Sequence, residues 1–418
     1  MVVPSAPHNN DLWCTKLGGM AFIVRQARLA AKAGVSQVWV LCPKPADAIS
    51  ACVPDPRYAP DLKTLIYDNE RESLSDAVSA LPGADQYIVF VADCVYPPQA
   101  FANLARFQHP EHQPGQIAST GNQDHPILIS DASCLAHAIE AFSNSTGKPS
   151  KNHLVLAPEY PVFKITSHDD MNKLEEHLWG QCRKDIDGLV STWFNRHISL
   201  AISRTIINSP ITPNQVTIFA VLLGIVASLI ASGGGYLEVL IGAFLLQASS
   251  IIDGVDGEIA RMRVQGSVLG EWLDTIGDDL VNISFVLAIG YGSYVSGSPP
   301  IWPYMAVFCA FLMLSISAIY YVWLSRAGRG DILSTDWFHT ASKPVDNQPQ
   351  NTTAFSDIKA AIIVWATRLF RRDLLIAIIF LTALAGVVHY SLLIFIPASL
   401  ATLAAQLVKM LSGNNEPQ

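Results

Sequence analysis

The sequence predicts two joined architectures: a doubly wound α/β domain in front, and an all-α polytopic membrane domain of six transmembrane helices behind it. Three observations carry this. Charged residues run throughout residues 1–190, whereas not one Asp, Glu, Lys or Arg lies between Leu280 and Ser325 or between Leu374 and Val408. The front part alternates short apolar runs with stretches of three- and four-residue apolar spacing, the pattern of strands alternating with helices. Half of the 418 residues are hydrophobic and only 15% are charged, too apolar for an average soluble chain and too long for one ordinary domain. Disorder and a small disulfide scaffold are excluded.

In the front domain, the runs Gln37–Leu41, Thr64–Tyr67, Tyr87–Ala92 and Gln116–Ser119 are too short to cross a bilayer and read as buried parallel strands. Phe22–Ala33, Glu70–Leu81 and Gln99–Phe107 repeat apolar residues at helical spacing, which gives each helix one face for the sheet. Asp170–Arg183 is the expected closing helix and residues 184–190 the hinge, so the domains are expected at 1–184 and 185–418. The seven cysteines (Cys14, Cys42, Cys52, Cys94, Cys134, Cys182, Cys309) contain no CxxC pair. Neither a zinc cluster nor a bridge framework is indicated, and a reducing, cytoplasm-facing domain fits. A net charge of −8 argues against a nucleic-acid partner, whose phosphates need many Lys and Arg.

A bilayer core about 30 Å thick takes roughly 20 helical residues per crossing. That places six spans, at 214–232, 235–253, 267–293, 300–324, 374–389 and 391–410. Residues 187–208 and 356–370 mix apolar and cationic positions (Trp193, Phe194, Arg196, Arg204; Trp365, Arg368, Phe370) and suit helices lying among lipid headgroups. The turns Ala231–Leu237, Gly290–Pro300 and Val387–Ser391 hold no Lys or Arg, whereas Arg261, Arg263, Arg326, Arg329, Arg368, Arg371, Arg372 and Lys409 fall on the opposite side. Both termini are therefore expected in the cytoplasm, in a multi-pass protein of the cell inner membrane. Met1–Trp13 lacks an apolar core, so no signal peptide is expected, and Gly330–Ser356 reads as a flexible cytoplasmic loop.

Of the eight acidic residues from Ile211 to Ser325, seven (Asp253, Asp256, Glu258, Glu271, Asp274, Asp278, Asp279) lie within 253–279. Ionisable groups at membrane depth are costly and point to function. Asp253 and Asp256 are three apart, and Gly270, Asp274 and Asp278 follow one another at intervals of four, so each set shares a helix face. Two facing helix ends would then direct four carboxylates into one pocket. Such a group needs cations, and hard oxygen ligands select Mg²⁺ or Mn²⁺.

The segment Asp253-x-x-Asp256-Gly257-x-x-Ala260-Arg261, eight residues, then Gly270-x-x-x-Asp274-x-x-x-Asp278 resembles, at every defined position, the signature of the CDP-alcohol phosphotransferase family. Thr212-Pro213-Asn214 is similar to that family's approach to its first span. The resemblance covers roughly residues 187–410 and implies six spans with the active site at the cytoplasmic ends of the second and third. It implies that Asp253, Asp256 and Asp274 hold two divalent ions with Asp278 contributing, and that Asp278 is the general base on the acceptor hydroxyl. Gly257, Ala260, Arg261 and Gly270 would line the cytidine and phosphate site. Glu258, Glu271 and Asp279 fall off the pattern and read as surface or supporting residues. The resemblance also implies a homodimer.

Asp187-Gly188, Asn195-Arg196, Ser249-Ser250 and Phe370-Arg371-Arg372-Asp373, with a front domain of nucleotidyltransferase-like, Rossmann-like pattern, further resemble the fused inositol-phosphate cytidylyltransferase and di-inositol-phosphate phosphate synthase family. This implies a CDP-inositol or other CDP-polyol donor, a polyol-phosphate or lipid acceptor, and CMP as product. Arg196, Arg204, Arg326, Arg371 and Arg372 are candidates for an acceptor phosphate, with positive-inside anchoring as their other reading. A working cytidylyltransferase opens with a strand and a glycine-rich loop that cradles the triphosphate; here only Lys16, Gly18 and Gly19 remain of it. Asp93 follows a strand at a plausible metal position, but the second carboxylate is replaced by Lys164 in Val162–Thr166. The front domain is therefore expected to be catalytically inactive. Two alternatives stand beside this reading. One is a phospholipid or phosphosphingolipid synthase using CDP-diacylglycerol or a lipid acceptor. The other, a divalent-cation transporter, is disfavoured because spans four to six carry no acid.

Overall fold

The computed structural model describes residues 2–3, 15–32, 38–43, 62–67, 87–91, 94–95, 117–120, 127–130, 153–156, 163–165, 167–183, 188, 190–327 and 372–411. The chain divides into two compact units, Met1–Gly180 and Gln181–Gln418.

The first unit is built on a seven-stranded sheet. Its strands are β1 (Val2–Val3), β4 (Val38–Pro43), β5 (Leu62–Tyr67), β6 (Tyr87–Val91), β8 (Ile117–Thr120), β9 (Ile127–Ser130) and β10 (His153–Leu156), in the order β10-β8-β9-β6-β1-β4-β5. The four runs predicted as strands are β4, β5, β6 and β8. The sheet is mixed rather than wholly parallel, because β9 runs antiparallel to both β6 and β8. Only residues 121–126 join β8 to β9, and a connection that short links antiparallel neighbours. β1 lies between β4 and β6: Val2 pairs in parallel with Val40 and with Phe90.

β2 (Lys16–Leu17) and β3 (Met20–Ala21) form a tight hairpin through Gly18 and Gly19, whose φ of 60° and 84° suit a two-residue turn open to glycine. It delivers the chain to α1 (Phe22–Lys32), where Leu17 and Phe22 pack with Ile165, Met171 and Leu174. The closing helix α2 (His168–Gln181) starts where Ser167 and Asp170 exchange side chain to backbone bonds of 3.1 and 3.2 Å, a reciprocal cap. β7 (Cys94–Val95) pairs antiparallel with β11 (Phe163–Lys164), setting Lys164 opposite Cys94. The helices expected at Glu70–Leu81 and Gln99–Phe107 lie outside the described residues.

The second unit is helical throughout its described part. A wide π turn, Ser191–Asn195, leads into α3 (Arg196–Ile206), followed by α4 (Pro213–Ala231), α5 (Tyr236–Met262), α6 (Val268–Val295) and α7 (Ile301–Ala327). The next described stretch holds α8 (Arg372–Leu384), a 3₁₀ turn at Val388–Ser391, and α9 (Leu392–Leu411). Among the described residues, four stretches are long and apolar enough to cross a membrane: Pro213–Ala231, Tyr236–Met262, Ile301–Arg326 and Val388–Val408. α6 is long enough, but its first half carries Glu271, Asp274, Asp278 and Asp279. The fifth predicted stretch ends early as a helix, at Leu384, where Gly386 takes φ 74°. At 13 residues α8 reaches about 20 Å. Trp193 and Phe194 in the π turn are exposed. The second such helix, 356–370, and the loop 330–356 lie outside the described residues.

Small residues let the helices close on one another. A Cβ at Gly224 would meet Val281 and Ser249, and one at Gly242 would meet Ala227 and Ala231. Phe285, Ala243 and Leu392 are wholly buried in the same core. α4, α5 and α6 are thereby locked side by side, which fixes where the acids of α5 and α6 stand.

Candidate functional site

α4 begins with a capping box in which Thr212 and Gln215 exchange bonds of 2.9 and 3.4 Å, so its first turn is rigidly placed. That turn presents Asn214 and Thr217 to the neighbouring helices. A Cβ at Gly270 would lie 3.0 Å from the Asn214 side-chain oxygen. Gly270 thus lets the first turn of α6, capped by the Ser267 hydroxyl at 3.1 Å, come up against α4. Thr217, buried, donates its hydroxyl to Asp256, of which only 8% is exposed. Asp253, Asp256 and Asp274 each offer a carboxylate oxygen, all within 4.8 Å of one another.

Asp278 stands one turn further along α6 and pairs with Arg372, which also donates to Asp253 at 3.0 Å. α8 therefore inserts a cation between the two acid-bearing helices. Several carboxylates facing one point repel each other unless cations stand among them. An all-oxygen donor set of this kind fits a hard divalent ion such as Mg²⁺ or Mn²⁺.

Arg261 folds back along α5: its guanidinium lies over Gly257, where a Cβ would stand 3.2 Å from it, and it donates to the Cys182 carbonyl at 3.4 Å. Burial pushes the Cys182 thiol above its usual range, so it behaves as packing rather than as a nucleophile. The Nε atoms of Arg261 and Arg372 are buried with no protein partner among the described residues.

Of the cations considered for an acceptor phosphate, the structure brings one into the site. Arg372 touches the carboxylates; Arg204 and Arg326 are exposed on α3 and α7, and Arg371 lies outside the described residues. Arg196 is buried and committed to Glu258 at 2.8 Å. Glu258 in turn is no surface residue, being wholly buried. It projects from α5 towards α3, where Ser199 and Ser203 also donate to it. Asp279 accepts from the Tyr321 hydroxyl at 2.7 Å, tying α6 to α7. Sequence reasoning missed Thr217, whose position one turn inside a capped helix gives no local sign of a partner 39 residues away.

Residues 210–395 match the CDP-alcohol phosphatidyltransferase family, and residues 12–155 match the MobA-like NTP transferase domain. Proteins named bifunctional IPC transferase and DIPP synthase are similar to the chain: one from Aquifex aeolicus is 32% identical over 194 residues (44% of each chain), and one from Archaeoglobus fulgidus 26% over 309 residues (66% of this chain, 61% of that one). An archaetidylinositol phosphate synthase from Pyrococcus horikoshii is 33% identical over 95 residues, 22% of this chain and 48% of that protein. The chain spans less than two thirds of the length of each of these relatives. It carries a CDP-alcohol phosphatidyltransferase domain behind a MobA-like NTP transferase domain.

Proposed function

We propose that the chain is an integral-membrane transferase that moves a phospho-alcohol group, a polyol phosphate such as inositol phosphate, from a CDP-linked donor to the hydroxyl of a polyol-phosphate or lipid acceptor, with release of CMP. The observation that carries this is the meeting of Asp253, Asp256 and Asp274 inside the matched segment. Asp253, Asp256 and Asp274 would hold two Mg²⁺ or Mn²⁺ ions, with Asp278 contributing. Bound there, such ions supply Lewis acidity at the donor pyrophosphate. Gly257, Ala260, Arg261 and Gly270 line the nucleotide side, where the free Nε of Arg261 is a donor for a phosphate oxygen. Asp278 takes the proton of the acceptor hydroxyl. The hydroxyl oxygen bonds to the β-phosphorus as the bond from that phosphorus to the CMP oxygen breaks. Arg372, beside Asp278, holds an acceptor phosphate within reach of that base.

Residues 1–184 form the front domain and 185–418 the transferase domain. The front domain does not transfer nucleotide. Its first strand is followed by a glycine-free stretch, and Lys164 pairs with the residue next to Asp93, where a cation opposes a metal. The charge-free stretches and the Lys and Arg distribution support six spans in the inner membrane, with the termini and acids on the cytoplasmic side, and four of the described stretches are long and apolar enough to cross. The protein works as a homodimer. A lipid-linked donor is the second reading, favoured by the similarity to a relative named archaetidylinositol phosphate synthase.

The test is CMP release by the full chain purified in detergent with Mg²⁺ or Mn²⁺. CDP-inositol is offered with inositol phosphate, diacylglycerol or ceramide, and CDP-diacylglycerol with inositol phosphate. Release with one pair establishes the reaction and the side that carries the lipid. No CMP from any pair, in folded protein, removes the proposal.

A further inference from the structure

Glu258 lies inside the signature segment yet outside its pattern, and no step of the transfer uses it. Its carboxylate accepts three hydrogen bonds from one face of α3: from Arg196 Nη1 at 2.8 Å, Ser199 Oγ at 2.6 Å and Ser203 Oγ at 2.6 Å. Both oxygens are engaged, and the side chain is 0% exposed. A buried ion pair is a poor source of net stability, since an apolar replacement of similar volume does as well or better. What three directional bonds from residues 196, 199 and 203 do fix is the rotation of α3 and its position along α5.

The other end of the same segment is fastened to α8. The backbone N–H of Ser191 donates to Asp373 Oδ2 at 2.8 Å, and the Thr192 hydroxyl donates to the Gly188 carbonyl at 2.8 Å. A side chain at Gly188 would run into the Asp373 carboxylate, so this close approach requires glycine. Asp373 is the chain neighbour of Arg372, which returns to α5 at Asp253. The contacts form a closed ring: Glu258 on α5, α3, Asp373 and Arg372 on α8, and back to α5.

We propose that Glu258 is a positioning residue, which through α3 and Asp373 sets where the Arg372 guanidinium stands against Asp253 and Asp278. This rests on the reading of that cluster as the transfer site. Loosening the Glu258 end lets α3 shift on α5 and Asp373 follow it, drawing Arg372 away from Asp253. The acceptor phosphate then loses its cation, while a divalent ion gains a carboxylate previously shared with an arginine. The two effects have opposite signs, whereas a general loosening of the fold weakens both.

The experiment compares the full chain with Glu258→Gln and with Gly188→Ala, which disturbs the far end of the ring without touching Glu258. Acceptor KM is read from CMP release, and Mn²⁺ binding without substrate from the electron paramagnetic resonance of free Mn²⁺. In both variants acceptor KM is expected to rise roughly tenfold, the factor carried by a weakened hydrogen bond to a charged group, while the Mn²⁺ Kd falls. The double variant Glu258→Gln, Arg196→Gln, which restores an amide pair, brings both values back toward wild type. Unchanged values in active protein, or both constants rising together, overturn the proposal and leave the transferase reading standing. Wild-type protein that neither binds Mn²⁺ nor releases CMP removes the transferase reading and this inference with it.

Discussion

Thr217→Val tests the carboxylate cluster from a residue that acts on it through Asp256. Valine copies the shape of threonine but cannot donate, and position 217 is 2% exposed, so neither water nor a rearranged surface can replace the lost donor. The threonine hydroxyl has a single proton. Of its two acceptors, the Pro213 carbonyl at 3.2 Å is the backbone acceptor of the same helix turn, and the closer one is Asp256. A hydrogen bond to a charged group contributes about 1.5–3 kcal/mol, equal to roughly tenfold to a hundredfold in an equilibrium constant. Losing it releases Asp256 from the orientation in which its oxygen meets those of Asp253 and Asp274. Mn²⁺ affinity, titrated on detergent-purified protein without substrate, should therefore fall by about that factor, with CMP release falling alongside and the thermal midpoint little changed. Thr217→Ser keeps the hydroxyl and should stay near wild type. Mn²⁺ binding by Thr217→Val indistinguishable from wild type would refute the reasoning.

Asp278→Asn should lower CMP release by at least about a hundredfold in protein whose thermal unfolding is unaltered; retained turnover takes the role of base away from Asp278. Asp93→Ala should leave transferase activity unchanged, and a loss measured in the same assay would show that the front domain contributes to the reaction. Gly242→Val drives a branched side chain into Ala227 and Ala231. It should destabilise the α4–α5 pair by about 1–3 kcal/mol, read as a lowered midpoint of helix melting in detergent.

What local sequence encodes, the sequence revealed. Acids three and four apart share a helix face whatever surrounds them, so the approach of Asp253, Asp256 and Asp274 was legible from spacing. The charge-free stretches likewise found α7, α8 and α9 to within a few residues. β1 escaped notice because a two-residue strand has no periodicity, and β9 because an apolar run of four is too short to show one. The fate of Arg196 was illegible for another reason. Beside Trp193 and Phe194 it resembles a headgroup anchor, yet its partner stands 62 residues away, and only the docking of α3 on α5 decides which face turns inward.

The second half of α5 is held from four directions: Asp253 by Arg372 of α8, Asp256 by Thr217 of α4, Glu258 by α3, and Arg263 by the turn between α3 and α4. Arg263 is buried and donates to the carbonyls of Ile206, Ile207, Ser209 and Ile211 at 2.5–3.3 Å. Immediately after it Val264, 8% exposed, takes φ 53°, a conformation that disfavours a β-branched residue by roughly 1–3 kcal/mol and survives only where neighbours dictate it. A helix end so constrained does not need bound ions to keep its shape, and Arg372 already offsets part of the repulsion between Asp253 and Asp278. Protein stripped with a chelator should therefore lose CMP release completely and regain it on adding Mg²⁺ or Mn²⁺, while far-ultraviolet circular dichroism and the thermal midpoint stay close to those of the untreated protein. Loss of helix on chelation, recovered with the ion, would mean that the metals and not the four anchors hold α5 and α6 together.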